Sequence, residues 1–148
     1  MKSNQSRYQM TFGEAITRFW TRAFQVSGRA TRSEFWFAQL FIALVSVVIT
    51  VFLPPVIPIC KLVMFVPHVT LTCRRLHDSG MSGTIVFVSW ALVPVAGLSF
   101  TVFPLLGILF LALVVSLKFI ILFAIFFDST KGRNKYGESE KYPSTIEI

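Results

Sequence analysis

The sequence predicts an all-α membrane protein, a polytopic bundle of four transmembrane helices preceded by a cytosolic amphipathic helix. Three observations lead there. Of 148 residues, 54% are hydrophobic and only 14% are charged, whereas a soluble domain carries roughly a quarter charged residues. Apolar stretches long enough to cross roughly 30 Å of hydrocarbon follow one another along the chain. The Lys and Arg residues behind the formal net charge of +7 fall almost entirely between those stretches. In a soluble chain that charge would raise nucleic acid as a partner. Here the enrichment of cytosolic loops in Lys and Arg accounts for it, and no nucleic-acid partner is expected. No linker composition or internal repeat divides residues 1–148, which read as one membrane domain.

The amphipathic helix covers residues 11–26. Within "TFGEAITRFWTRAFQ", Phe12, Ala15, Ile16, Phe19, Trp20, Ala23 and Phe24 recur at helical spacing, and Glu14, Thr17, Arg18, Thr21, Arg22 and Gln25 fill the other side. Thr11 and Glu14 have the form of a capping box, and Gly28 suits the helix end. The aromatic side can lie among headgroups or pack on the cytosolic ends of its own protein.

A second box, Thr31 and Glu34, opens the first span at residues 35–53, which holds no charged residue. Thirty-four residues precede this stretch and Pro54-Pro55 follow it, a layout unlike a cleaved signal peptide, so the segment is an anchor. Trp36 suits an interfacial position. The second span, residues 56–73, is interrupted by Lys61, which must snorkel to the far surface, and by Pro67, which kinks a helix. Its His68 is either a functional ionisable group or a hydrogen-bonding partner for a neighbouring helix.

Residues 84–127 would form a helix of roughly 66 Å if unbroken, twice what a bilayer needs. Pro94, Gly97 and Pro104 are break points, which gives two spans, 84–100 and 104–127, with the turn between residues 96 and 104. Lys118 then falls near the middle of the last span. The tail, residues 128–148, ends in "ESEKYPSTIEI", which has no packing pattern and reads as mobile.

Charge placement tests the span count. Lys2, Arg7, Arg18, Arg22, Arg29 and Arg32 precede the first span; Arg74 and Arg75 lie between the second and third; Lys131, Arg133, Lys135 and Lys141 follow the last. Four spans bring all three groups, and both termini, to the cytosolic side. Three spans would export the basic tail. Cys60 and Cys73 would lie on the order of 20 Å apart on one helix, so they read as free packing thiols.

Three polar blocks flank the spans: "SGRATRSEFW", "RRLHDSGMSG" and "KGRNKYG". In order and placement they resemble the signature of domain-of-unknown-function family 805, the YhaH-like small bacterial inner-membrane proteins. Gly28, Arg29, Arg32, Glu34, Phe35 and Trp36 match the first pattern. Arg74, Arg75, Leu76, His77, Asp78, Gly80, Ser82 and Gly83 match the second, and Gly132, Asn134, Lys135, Tyr136 and Gly137 the third. The resemblance covers residues 24–142. Met81 and Thr84 depart from it, standing where the family often has a basic residue and a tryptophan. It implies a bacterial inner-membrane location and no established activity.

If the blocks meet at one cytosolic surface, Arg29, Arg32, Glu34, Arg74, Arg75, His77, Asp78, Asn134, Lys135 and Tyr136 form a polar crown. Arginine forks suit carboxylate and phosphate, so Glu34 and Asp78 pair with some arginines and others are left for anionic lipid headgroups or a protein partner. The expected function is therefore binding or scaffolding at the membrane. The structural alternative is that the arginines set orientation and the glycines shape turns. A second functional class is a small channel or transporter with His68 and Lys118 lining the path, which would need a homo-oligomer to enclose it. An enzyme would rest on His77 and Asp78. Adjacent helical residues diverge by about 100°, no complete metal-ligand set accompanies them, and no Walker loop or nucleophile elbow is present. No catalytic residue, metal or cofactor is assigned.

Overall fold

The structure, a computed structural model, describes residues 10–142. Five helices follow in order: α1 (Phe12–Thr21), α2 (Arg32–Phe52), α3 (Ile57–Asp78), α4 (Thr84–Val102) and α5 (Pro104–Phe126), with one 3-10 turn at Pro54–Val56. No β-strand forms among the described residues; an isolated bridge joins Asn134 and Gly137. Helices α2 to α5, with the 3-10 turn continuing into α3, are each long and apolar enough to cross a membrane. Lys2, Arg7 and residues 143–148 lie outside the described residues.

Helix α1 is shorter than its hydrophobic periodicity. The capping box at its start is complete, with Glu14 N donating to Thr11 Oγ1 at 3.3 Å and Thr11 N to Glu14 Oε2 at 2.9 Å. Hydrogen bonding from Thr11, its backbone N–H first and its side chain second, holds the Glu14 carboxyl below its ordinary range. The helix stops at Thr21, and the next residues turn through bonds from Ala23 N to Trp20 O and Gln25 N to Arg22 O. Its apolar side packs on its own protein. Phe19 is fully buried, and Phe12 and Phe19 meet Phe37 and Phe41 of α2 edge-on at 5.9 and 6.1 Å. Phe24, 85% exposed, extends past that contact.

Helix α3 runs past its apolar stretch to Asp78, so "CRRLHD" is its last turns rather than a loop. It ends where glycine permits the left-handed backbone: Gly80 has φ +81°, Met81 N donates to Leu76 O, and Gly80 N donates to His77 O. This pair of bonds is a Schellman cap, and Met81 packs on the core cluster that holds Leu76. Every residue from Val69 to Asp78 is buried.

Helices α4 and α5 form an antiparallel hairpin that turns at Phe103, inside the predicted window. Gly107 permits the close approach, since a Cβ there would stand 2.7 Å from Phe100 Cγ. Along the spans, large apolar side chains such as Leu44, Val48, Leu109 and Phe123 are exposed, as lipid-facing surface requires. The most deeply buried part of the protein is thus its polar end.

Candidate functional site

The three polar blocks converge around the end of α3. The N-cap of α2 is Thr31, whose side chain accepts from Glu34 N at 3.2 Å. The second box is only half closed. Glu34 does not fold back to the cap; its Oε1 accepts from Arg74 Nη1 at 2.7 Å and its Oε2 lies 3.5 Å from Arg18 Nη1 of α1. Both Glu34 and Arg74 are shielded from solvent, and a carboxylate so placed needs a cation more than the helix needs a second cap bond.

Asp78 is the centre of the second group. Its Oδ1 accepts from Arg29 Nε at 2.9 Å and its Oδ2 from Arg75 Nη1 at 2.6 Å, with Ser129 Oγ donating to the same oxygen. Arg29 uses the rest of its fork on the returning tail, donating to Thr130 O at 2.6 Å and Gly132 O at 2.9 Å. Arg75 turns the other way. Its Nη2 donates to Ile125 O at 3.0 Å and also to Phe127 O. Arg32 Nη2 donates to Phe126 O, and Ser79 Oγ to Ala124 O at 2.9 Å. An α-helix ends with four carbonyls that have no partner within it. Side chains from the first two blocks therefore cap the end of α5, where its dipole favours cations.

The third block closes the site. His77 Nδ1 lies 3.1 Å from Gly28 O, and its ring stacks on Tyr136 with centroids 3.7 Å apart and planes 6° from parallel. Asn134 Nδ2 donates to His77 O at 3.0 Å and to Thr130 Oγ1 at 3.0 Å, while its Oδ1 accepts from Tyr136 N. Lys135 is exposed, with Nζ 4.9 Å from the Tyr136 ring centre. Residues 138–142, read as mobile from composition, are tied down: Lys141 Nζ donates to Asp128 Oδ1 at 2.6 Å and Tyr142 Oη to Asp128 Oδ2 at 3.1 Å. The Lys141 bond leads in holding the Asp128 carboxyl down at about 2, and the same bond raises Lys141.

All ten crown residues lie at this end, though not alike. Arg29, Glu34, Arg74, Arg75, His77 and Asp78 are buried, Arg32, Asn134 and Tyr136 are half-buried, and Lys135 is exposed. His77 and Asp78 diverge, the imidazole toward Gly28 and Tyr136 and the carboxylate toward two arginines. Among the described residues no three His, Cys, Asp or Glu side chains gather as a metal would need. His68 and Lys118 lie instead within the spans, where they line a common cleft.

A profile of the proteins of unknown function called DUF805 matches residues 23–138. The chain belongs to the DUF805 family. The described geometry gives that family's three blocks a shared place in this member. The chain is 34% identical over 127 residues to the Inner membrane protein YhaI of Escherichia coli strain K12, covering 80% of this chain and 87% of that protein. The YhaI of Escherichia coli O157:H7 matches to the same extent. No solved structure matches. This kinship and the four apolar helices support a multi-pass inner-membrane location for this DUF805 protein.

Several participants carried no readable signal. Ser129 and Thr130 complete the shells of Asp78 and Arg29 but look like ordinary loop residues. Gln39 was legible in principle, as an amide inside an uncharged span; its Nε2 lies 3.1 Å from His68 Nδ1. Trp90, whose ring centre lies 3.7 Å from Lys118 Nζ, has no spacing that announces the contact.

Proposed function

We propose that the protein is a membrane-embedded binding platform whose polar end faces the cytosol and holds anionic lipid headgroups. The observation that carries this reading is the division of labour among its cations. Those set deep in the crown are matched by Glu34, Asp78 and the carbonyls of α5. Lys131, Arg133 and Lys135 are exposed, and no carboxylate lies within ion-pair distance of them among the described residues. They sit on five consecutive residues just beyond the last span. The buried members of the crown position that loop, through Arg29 to Gly132 O and Asn134 to His77 O, and the loop makes the contact.

Each cation near an anionic surface contributes about 1 kcal/mol, so three together amount to roughly a hundredfold in retention. The test is lipid retained by the purified full chain from equal mixtures of phosphatidylglycerol and phosphatidylcholine. The native protein should enrich the anionic lipid and the Lys131→Ala/Arg133→Ala/Lys135→Ala variant should not. Equal enrichment by both proteins overturns the reading. Loss of a soluble protein's capture by the triple variant, with no lipid preference in either, would assign the platform to a protein partner instead.

A further inference from the structure

The spans carry a second polar group, separate from the crown. Lys118 lies on α5 eight residues before Phe126, roughly 12 Å below the polar end. The only carboxylates in the four spanning helices are Glu34 and Asp78, and both are taken by arginines. Among the described residues the cation therefore has no counter-charge; its partner is the face of Trp90 at 3.7 Å. A charge at that depth is costly unless it is paired.

Two clefts meet at this point. The larger, about 280 Å³, is lined by Gln39, Ile42, Cys60, Met64 and Phe65 and runs along α3 from His68 toward Lys61. The smaller, about 170 Å³, contains Lys118 and shares His68 and Trp90 with the first. Gln39 Nε2 faces His68 Nδ1, and a donor at Nδ1 leaves the ring proton on Nε2. The junction thus presents an ammonium and an imidazole N–H, both donors, at the head of an apolar channel.

We propose that the two clefts form a binding site for a long-chain fatty acid, with its carboxylate against Lys118 and His68 and its chain along the larger cleft. One ammonium matches one monoanionic head. A neutral head such as a quinone would leave the lysine uncompensated. A two-chain phospholipid exceeds the space, which is at the small end for ligand pockets. The far end of the cleft holds Lys61, exposed and near the opposite surface, where a flexible ammonium reaches water without a ligand. The site is independent of the exposed loop cations.

The protein's three tryptophans supply the test. In the full chain carrying Trp20→Phe and Trp36→Phe, Trp90 alone reports, and a bromine-labelled fatty acid in the larger cleft quenches it on contact. Quenching should saturate with the acid and stay at micelle background with its methyl ester. Lys118→Met should raise the half-quenching concentration about tenfold, the loss of one charge-assisted contact. Lys118→Arg, which keeps the charge, should stay within about threefold. Equal quenching by the ester, an unchanged midpoint in Lys118→Met, a loss confined to Lys61→Met, or tighter quenching by brominated phosphatidylglycerol each overturns the proposal. Should Lys118→Met fail to fold, the comparisons of acid with ester and of native with Lys118→Arg still decide.

Discussion

Asp78 and Arg29 join the last turn of α3 to the segment before α2 through a 2.9 Å ion pair in which both side chains are almost completely shielded. Arg75 holds the other oxygen of the same carboxylate. Asp78→Asn therefore strands two buried guanidinium groups at once. It should destabilise the protein by about 3–5 kcal/mol, read as a lowered denaturant midpoint in detergent. Glu140→Gln, whose carboxylate faces Arg18 and Arg22 at a half-exposed position, should cost less than about 1 kcal/mol. Similar costs for the two variants would contradict the central place given to Asp78.

Arg74 and Arg75 are neighbours in sequence and opposites in use. Arg75 distributes its donors over Asp78, Ile125 and Phe127, whereas Arg74 Nε and Nη2 have no hydrogen-bond partner among the described residues. A lysine keeps one point contact and loses the fork. Arg75→Lys should consequently cost about 1–3 kcal/mol more than Arg74→Lys, since it leaves buried carbonyls of α5 unmet. Paired unfolding curves give the comparison, and a larger loss in Arg74→Lys counts against it.

Gly83 stands where a side chain does not fit. A Cβ there would lie 2.9 Å from His77 Nε2 and 3.0 Å from Cys73 Cβ. Gly83→Ala should push the imidazole off Tyr136 and cost about 1–3 kcal/mol through overpacking. Gly13→Ala is the control, because nothing lies within 4 Å of a Cβ at that site; it should be neutral or slightly stabilising by helix propensity. Thermal unfolding of the two variants separates them.

The tail contact should be acid-labile. Asp128 is depressed to about 2 in the folded protein, first by the Lys141 hydrogen bond, against about 3.9 in an unfolded chain. A depressed carboxylate contributes stability that is complete above the unfolded value and disappears as pH falls through the folded one. The window is therefore about pH 4 down to about 2. Because the pair is half-exposed, less than about 1 kcal/mol is at stake. Hydrogen exchange of residues 138–142 should accelerate across that window, and Lys141→Met should accelerate it already at neutral pH.

Four spans bring both described ends of the chain to one face of the bundle. Reporters fused at the two termini should give the same compartment, the cytosol by the positive-inside bias. Opposite compartments would remove one span from the topology.

The helices were legible because lipid imposes long uncharged runs, and the crown's location followed from the sorting of Lys and Arg between them. The inward aim of the arginines was not. A run such as "CRRLHD" looks like a solvated turn by composition, and only partners 40 to 50 residues away, Glu34 for Arg74 and Ile125 for Arg75, make its burial affordable. The same limit hid the half-closed box at Thr31. Local spacing predicts that Glu34 returns to its own helix, but a charge-assisted bond to a buried guanidinium outweighs a second cap bond. His68 and Lys118 stood out as ionisable residues inside spans, while Gln39 and Trp90, their partners, depend on how helices face one another.

The acceptors of Arg29 also set an order of events during synthesis. Thr130 and Gly132 are made more than 100 residues after it, and the carbonyls that Arg75 and Arg32 cap belong to the final helix. Until the ribosome reaches that stretch, Arg29 and Arg75 can share Asp78 but lack these carbonyl receptors, and the polar end is not closed by the last helix and the tail. Closure of the polar end therefore waits for residues 125–132, so chains terminated after residue 129 should be cut by protease at the segment before α2, where longer ones resist.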